Sequence, residues 1–213
     1  MMTTNKLTKT FASGSLAIGV LAGAVLTATS ASAMTLTWAV WTGGTPLQDG
    51  DKIATFVSEN GFGAEAGDQV SLIALGAEYY FKYDPTTGAN TSNANSGSFT
   101  YTIEVTNPNQ SLVGVDLDSN VSANYGNVTE TFAEIPNVLV SISGSPVPAS
   151  GFEPITPKNL LTVTNTTYNP NNTDNGLFQL QNSFHQSVPE PGTVLGLLAV
   201  GGLGLVSRFK KQK

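Results

Sequence analysis

The chain has 213 residues, with 15 acidic side chains against nine basic ones, and it contains no cysteine. The lack of cysteine excludes disulfides, thiolate zinc sites and cysteine nucleophiles. Between residues 34 and 187 the only cations are Lys52, Lys82 and Lys158, against 14 of the 15 acids. This charge argues against a nucleic-acid partner, because phosphate binding requires clustered Lys and Arg.

The first 33 residues have the three-part organisation of a secretory signal peptide. Two lysines come first, an apolar stretch follows over residues 16–28, and Ala31 and Ala33 provide the small side chains that signal peptidase requires. A permanent membrane anchor is the alternative, but the apolar stretch is shorter than the roughly 20 residues that span a bilayer. We predict a signal helix that signal peptidase removes by cleavage after Ala33.

Residues 34–180 show the short alternating patterns of an antiparallel β-sheet. In the clearest of them, over residues 98–107, polar residues alternate with four apolar ones, Phe99, Tyr101, Ile103 and Val105. Strands are predicted, in chain order, over residues 35–41, 53–58, 69–74, 78–83, 98–107, 128–133, 138–143, 160–164 and 176–180. Intervening Asn, Gly, Ser and Thr favour turns over helices. The sequence therefore predicts an all-β fold, an antiparallel β-sandwich forming one extracellular domain.

Two tryptophans stand three positions apart in the first of these predicted strands. They are Trp38 and Trp41. Because side chains of a strand alternate between its faces, the two would point in opposite directions. One is expected in the core, and the other at an edge or against a sugar ring.

A short acidic segment in the middle of the chain resembles the start of a calcium loop. Asp116, Asp118 and Asn120 place oxygen ligands at alternate positions. An EF-hand would need glycine at the sixth position and glutamate at the twelfth, where this chain has Val121 and Asn127. We keep the three residues as a candidate calcium site of another kind, with an ordinary turn as the alternative.

The sequence offers no catalytic constellation. Its single histidine, His185, falls in residues 181–187, which are interpreted as a solvated linker after the domain. A serine triad needs a histidine held beside its nucleophile, and no G-x-S-x-G elbow occurs between residues 34 and 187. A pair of carboxylates for glycoside hydrolysis stays open as an alternative, because a sequence does not show which acids face each other. We predict a protein that is not an enzyme and holds no resident cofactor.

The C-terminal residues 188–213 form a second three-part signal. Val188, Pro189, Glu190 and Pro191 precede an apolar run over residues 193–206, and four basic residues follow. As a helix the run would be about 21 Å long, so it is predicted to be a short transmembrane helix with snorkelling basic side chains. The basic end is expected on the cytoplasmic side.

This tail resembles the PEP-CTERM sorting signal of Gram-negative bacteria and cyanobacteria. The resemblance covers only residues 188–213, and Gly192 stands where serine is more usual. It implies recognition by the membrane enzyme exosortase, with cleavage as an expected consequence, after a transient anchor in the inner membrane. The implied destination is the cell surface, the outer envelope or an extracellular matrix.

Together these features predict an exported, non-enzymatic protein of the cell surface or exopolysaccharide matrix. Its processing partners would be signal peptidase and exosortase, and it would contact the membrane through its tail. The alternative is a carbohydrate- or calcium-binding adhesion module, with polysaccharide as a partner.

Overall fold

The computed structural model describes residues 32–85, 92–147, 152–170 and 176–187. The predicted signal helix up to Ala31, and the predicted tail with Val188, Pro189, Glu190 and Pro191, lie outside these ranges. In the described part of the chain, no helix has the length and apolar character needed to cross a membrane. Ala33 is described and already lies in the first strand.

Within these ranges the chain is built almost entirely from strands. One short helix interrupts them near the beginning. The elements are, in chain order, β1 (Ser32–Thr37), α1 (Trp38–Thr42), β2 (Leu47–Asp49), β3 (Lys52–Asn60), β4 (Gln69–Leu75), β5 (Glu78–Asp84), β6 (Gly97–Val105), β7 (Leu112–Val121), β8 (Asn127–Phe132), β9 (Val138–Ile142), β10 (Ser145–Val147), β11 (Glu153–Lys158), β12 (Leu160–Tyr168) and β13 (Leu177–Gln186).

The strands form two antiparallel sheets. The six-stranded sheet has the order β1-β4-β5-β13-β7-β11, and the seven-stranded sheet has the order β10-β9-β8-β12-β6-β3-β2. All neighbouring strands in both sheets run antiparallel. The predicted all-β, antiparallel architecture is therefore confirmed for the described residues.

One hydrophobic core joins the two sheets. Alternate residues of β6 and β5 point inward from opposite sides, so Tyr101 stacks on Phe81 with ring centroids 4.2 Å apart. Phe99 and Tyr83 extend the same aromatic cluster. Each such side chain contributes roughly 1.5–3 kcal/mol through burial alone. The period-2 pattern of residues 98–107 thus correctly indicates which face of β6 is buried.

The first predicted strand is wrong from Trp38 onward. β1 ends at Thr37, and Trp38 and Trp41 lie on α1. Residues three apart share one face of a helix, and both rings are buried with centroids 5.4 Å apart. The Trp41 Nε1 donates to the Ala54 carbonyl at 3.2 Å. Neither tryptophan is available to a sugar, because both belong to the core.

The predicted linker over residues 181–187 is also wrong as far as Gln186. These residues continue β13, which lies between β5 and β7 within the six-stranded sheet. Asn182 and Gln186 face inward with Phe184 between them in the alternation, and both amides are hydrogen-bonded. These hydrogen bonds offset the free-energy cost of burying polar side chains. The sequence pattern does not reveal the bonds, because their partners lie on other strands.

A buried polar cluster crosses from one sheet to the other. The amides of Asn165 and Asn182 bond each other at 2.8 and 2.9 Å, and the Tyr101 hydroxyl donates to Asn182 at 2.9 Å. Glu130 pairs with Asn165 across the strands and is completely buried. Its two carboxyl oxygens have no hydrogen-bond partner of regular geometry among the described residues. Complete burial raises the pKa of Glu130 well above its usual value, the charge of Asp116 raises it further, and the Asn182 amide opposes the shift.

Glu130 is expected to make the protein less stable as the pH rises. Its pKa in the folded state lies above the value of 4.5 for an unperturbed glutamate, so the folded state holds a proton that the unfolded state releases. Between the two pKa values the wild type should lose about 1.4 kcal/mol per pH unit relative to Glu130→Gln. Denaturant unfolding of both proteins from acidic to neutral pH measures this difference. A constant difference across that range would contradict the assignment.

Candidate functional site

The structure places the predicted calcium residues within a strand. Asp116, Asp118 and Asn120 lie in β7, where side chains two apart share a face, while Leu117 and Ser119 are buried on the other side. These residues therefore lie in a strand and not in a loop, because alternation of polar and buried residues in a strand gives the same spacing as a calcium loop, and calcium binding here stays a prediction. Among the described residues no group of three or more His, Cys, Asp or Glu could hold a metal ion.

These residues belong to the outer face, by which we mean the side of the six-stranded sheet that points away from the core. The neighbouring strands contribute further polar side chains in register with β7. One row across four strands contains Ser71, Lys82, Gln181 and Asp118. The adjacent row contains Ile73, Tyr80, Ser183 and Asp116. Because strands are about 4.8 Å apart, each row is roughly 15 Å long.

Two shallow depressions meet on the outer face. One is lined by Ile73, Leu75, Tyr80, Lys82 and Gln181. The other is lined by Asp118, Asn120, Gln179 and Gln181, and by Ser119, whose side chain points inward and bonds Ser141. Gln181 lines both, so the two depressions adjoin at this residue, and we refer to them together as the groove, which involves β4, β5, β13 and β7. The groove combines one aromatic ring with amide, hydroxyl, ammonium and carboxylate groups.

Hydrogen bonds within strands and between strands hold the side chains of the outer face. The Tyr80 hydroxyl bonds the Glu78 carboxylate, and this bond is the main cause that raises the pKa of Tyr80 to about 12. Gln179 Nε2 donates to Asp84 Oδ1 at 2.7 Å, and Gln181 Nε2 donates to Ser183 Oγ at 3.2 Å. The Tyr80 ring is therefore a neutral, fixed platform at neutral pH.

Burial and a neighbouring charge both raise the pKa of Asp116, an acid of the outer face. Partial burial is the first cause that raises the pKa of Asp116, and the Asp118 charge adds to it, whereas a backbone hydrogen bond to Leu117 opposes it. Lys82 is in register between Ser71 and Gln181, two residues along β5 from Tyr80. With Glu78 and Asp84 also present, acidic groups outnumber the single lysine on these strands.

His185 is not the solvated linker residue that the sequence suggested. It lies in β13, half-buried, with its ring 5.1 Å from that of Phe152. Its Nδ1 has no hydrogen-bond partner in the described part of the chain. It is paired with Glu78 on one side and Gly114 on the other, at the margin of the groove.

The sequence predicts Asp116, Asp118 and Asn120 as candidate ligands but does not indicate the other residues of the groove. Tyr80 and Lys82 fall in a predicted strand without a predicted role, whereas Gln179 falls in a predicted strand and Gln181 in the predicted linker. The signal that could have found Tyr80 and Lys82 is the alternation in β5, where buried aromatic residues alternate with residues of the other face. β13 gives no such signal, because its inward face also carries Asn182 and Gln186.

A sorting motif follows the β-domain directly. The described residues form an antiparallel two-sheet domain, and β13 ends at Gln186. The family model for the PEP-CTERM protein-sorting motif matches residues 187–211, beginning at the next residue. The chain therefore carries an exosortase-dependent sorting signal at its C-terminus, and it is an exported, surface-associated protein. No curated protein and no solved structure matches the chain.

Proposed function

We propose that the protein is a non-enzymatic component of the cell surface or exopolysaccharide matrix, and that it holds polysaccharide in the groove of the outer face. The observation that carries the proposal is the groove itself, with Tyr80 beside in-register rows of hydrogen-bonding side chains. Delivery by the sorting tail would bring this face into contact with the matrix.

The chemistry of the groove suits a glycan. Sugar hydroxyls both donate and accept hydrogen bonds, and the amides of Gln179, Gln181 and Asn120 do the same. An aromatic ring supplies an apolar surface for the face of a sugar ring, and Tyr80 supplies one here. The excess of carboxylates over Lys82 favours an uncharged glycan, because an anionic polymer would be repelled.

The placement of the acids supports a role in binding without catalysis. Glycoside hydrolysis needs two carboxyl groups that flank the scissile bond. Asp116 and Asp118 project from the same strand toward the same side, so they approach a bound chain from one direction. Glu78 and Asp84 are each bonded to a neighbouring side chain on the same face.

Replacement of Tyr80 by alanine is expected to raise the dissociation constant for a neutral polysaccharide about tenfold, equivalent to about 1.4 kcal/mol. The matched control is Tyr168→Ala, because Tyr168 is an exposed tyrosine on the other sheet, in β12. Calorimetry with the full chain, a neutral β-glucan and exopolysaccharide purified from the producing cells measures both variants.

The control should bind like the wild type. Equal loss of affinity in Tyr80→Ala and Tyr168→Ala would show that the groove is not the binding surface. Absence of binding by the wild type to either polysaccharide would remove the proposal of a glycan-binding domain and leave the sorting signal unaffected.

A further inference from the structure

A second constellation of reactive groups lies inside the domain, away from the outer face. Lys52 begins β3 in the seven-stranded sheet, and Gln186 ends β13 in the six-stranded sheet. Their side chains meet between the sheets, where Lys52 is 0% and Gln186 3% exposed. The ammonium group of a lysine is seldom buried in this way unless it is paired.

The amine, a primary amide and a carboxylate form a closed triangle. Lys52 Nζ donates to Gln186 Oε1 at 2.6 Å and to Asp51 Oδ1 at 2.7 Å. Gln186 Nε2 donates to Asp51 Oδ2 at 3.1 Å. The nucleophile is therefore beside the carbonyl group, and one carboxylate contacts both the nucleophile and the nitrogen that would leave.

Neighbouring side chains contact the three groups, of which Asp51 is partly open to solvent, with its side chain 22% exposed. The Lys52 Nζ lies 4.0 Å from the ring centroid of Tyr79, whose hydroxyl donates to Asp51 at 3.3 Å. The Gln186 amide also donates to Gln110. In the strand register Lys52 is opposite Val105, which is buried.

Burial favours the neutral form of the Lys52 amine, which is the form that amide formation needs. It is the first cause that lowers the pKa of Lys52, whereas the hydrogen bond and charge of Asp51 oppose it. A neutral amine is the nucleophilic form, and desolvation in an apolar pocket is a recognised way to obtain it. Fixed proximity then replaces an encounter in solution by a reaction within one molecule.

We propose that Lys52 and Gln186 join in an intramolecular isopeptide bond, with Asp51 transferring the protons. Asp51 takes the first proton from the Lys52 ammonium group, and the lone pair freed on Nζ forms a bond to Cδ of Gln186. Asp51 passes this proton to Nε2, takes a second proton from Nζ and passes it on in turn as the bond from Cδ to Nε2 breaks. The nitrogen of Nε2 leaves as ammonium, Asp51 ends as a carboxylate, and the reaction needs no oxidant or cofactor.

The bond would tie the two sheets together at the end of the domain that adjoins the tail. It links residues 134 positions apart, and cross-links that close long loops restrict the unfolded chain most. The sorting motif begins at Ser187, directly after Gln186. In a surface-attached protein, a mechanical force applied to the tail would act on the cross-link before it acts on the rest of the domain. This mechanical consequence rests on attachment through the tail, whereas the bond itself does not.

Mass spectrometry of the exported full chain tests the bond. After denaturation the protein should be lighter than its processed sequence by one ammonia, and digestion should give a branched peptide joining Lys52 to Gln186. Fragmentation must locate the loss, because an asparagine before glycine, such as Asn60, can also release ammonia. Recovery of the peptides with Lys52 and Gln186 linear and unmodified would overturn the proposal.

Variants assign the roles of the three groups. Lys52→Arg keeps the positive charge and should abolish the branched peptide, while Asp51→Asn should slow its formation at least tenfold. Lys158→Arg is the matched control and should leave the cross-link complete. A branched peptide that persists in Lys52→Arg would overturn the assignment. If a variant does not fold, the wild-type peptide map still decides between a bonded and an unbonded pair.

Discussion

Replacement of Trp41 by alanine is expected to lower the free energy of unfolding by about 3–5 kcal/mol. Trp41 is completely buried, and its ring contacts those of Phe56, Phe81 and Tyr101 at centroid distances of 5.3, 5.2 and 6.0 Å. The substitution leaves a cavity where the two sheets meet and removes the hydrogen bond to the Ala54 carbonyl. Denaturant unfolding followed by circular dichroism measures the loss.

The control for this substitution is the neighbouring residue on the same helix. Val40 is 45% exposed, so Val40→Ala removes little buried surface and should change stability by less than about 1 kcal/mol. If Trp41→Ala cost no more than Val40→Ala, the assignment of α1 to the core would be wrong.

Replacement of Pro189, Glu190 and Pro191 by alanine is expected to abolish delivery to the cell surface. These residues lie within the part of the chain that matches the sorting motif, and they follow the domain directly. The folded domain should be unaffected, because the substitutions begin three positions after Gln186. Cell fractionation with an antibody against the domain compares the surface, membrane and soluble pools.

Two comparisons make the sorting experiment specific. Gly192→Ser introduces the residue that is more usual after Pro-Glu-Pro, so this variant should be delivered like the wild type. Equal surface amounts of the triple alanine variant and the wild type would mean that delivery does not depend on the motif.

The parts of the fold that sequence predicted well have local causes. β6 places Phe99, Tyr101 and Ile103 at every second position, and nothing but a strand buries all three on one face. β5 does the same with Tyr79, Phe81 and Tyr83. The sorting tail is a linear motif, so the order of its residues identifies it without any fold.

The parts that sequence missed depend on distant partners. The sequence of β13 lacks an apolar face because Asn182 and Gln186 point inward. Their burial depends on hydrogen bonds to partners on other strands, which are Asn165, Tyr101 and Lys52. β11 contains Pro154 and tolerates it because the strand is at the edge of its sheet.

The candidate sites were hidden for the same reason. Asp51 and Lys52 are neighbours in a hairpin, but Gln186 is 134 positions away from Lys52, and only the packing of the sheets brings them together. The outer face likewise depends on the register between β5, β13 and β7, which are distant in sequence, and register follows from which faces are buried and from the turns.

The proposed role in the matrix is tested most directly by retention in the native matrix. Producing cells would carry either the wild type or the double variant Tyr80→Ala and Gln181→Ala, each with its sorting tail intact, and the protein bound to isolated exopolysaccharide would be quantified. We expect the wild type to remain with the polysaccharide and the double variant to wash into the soluble fraction. Equal retention of a folded double variant would contradict the proposal that the outer face binds polysaccharide.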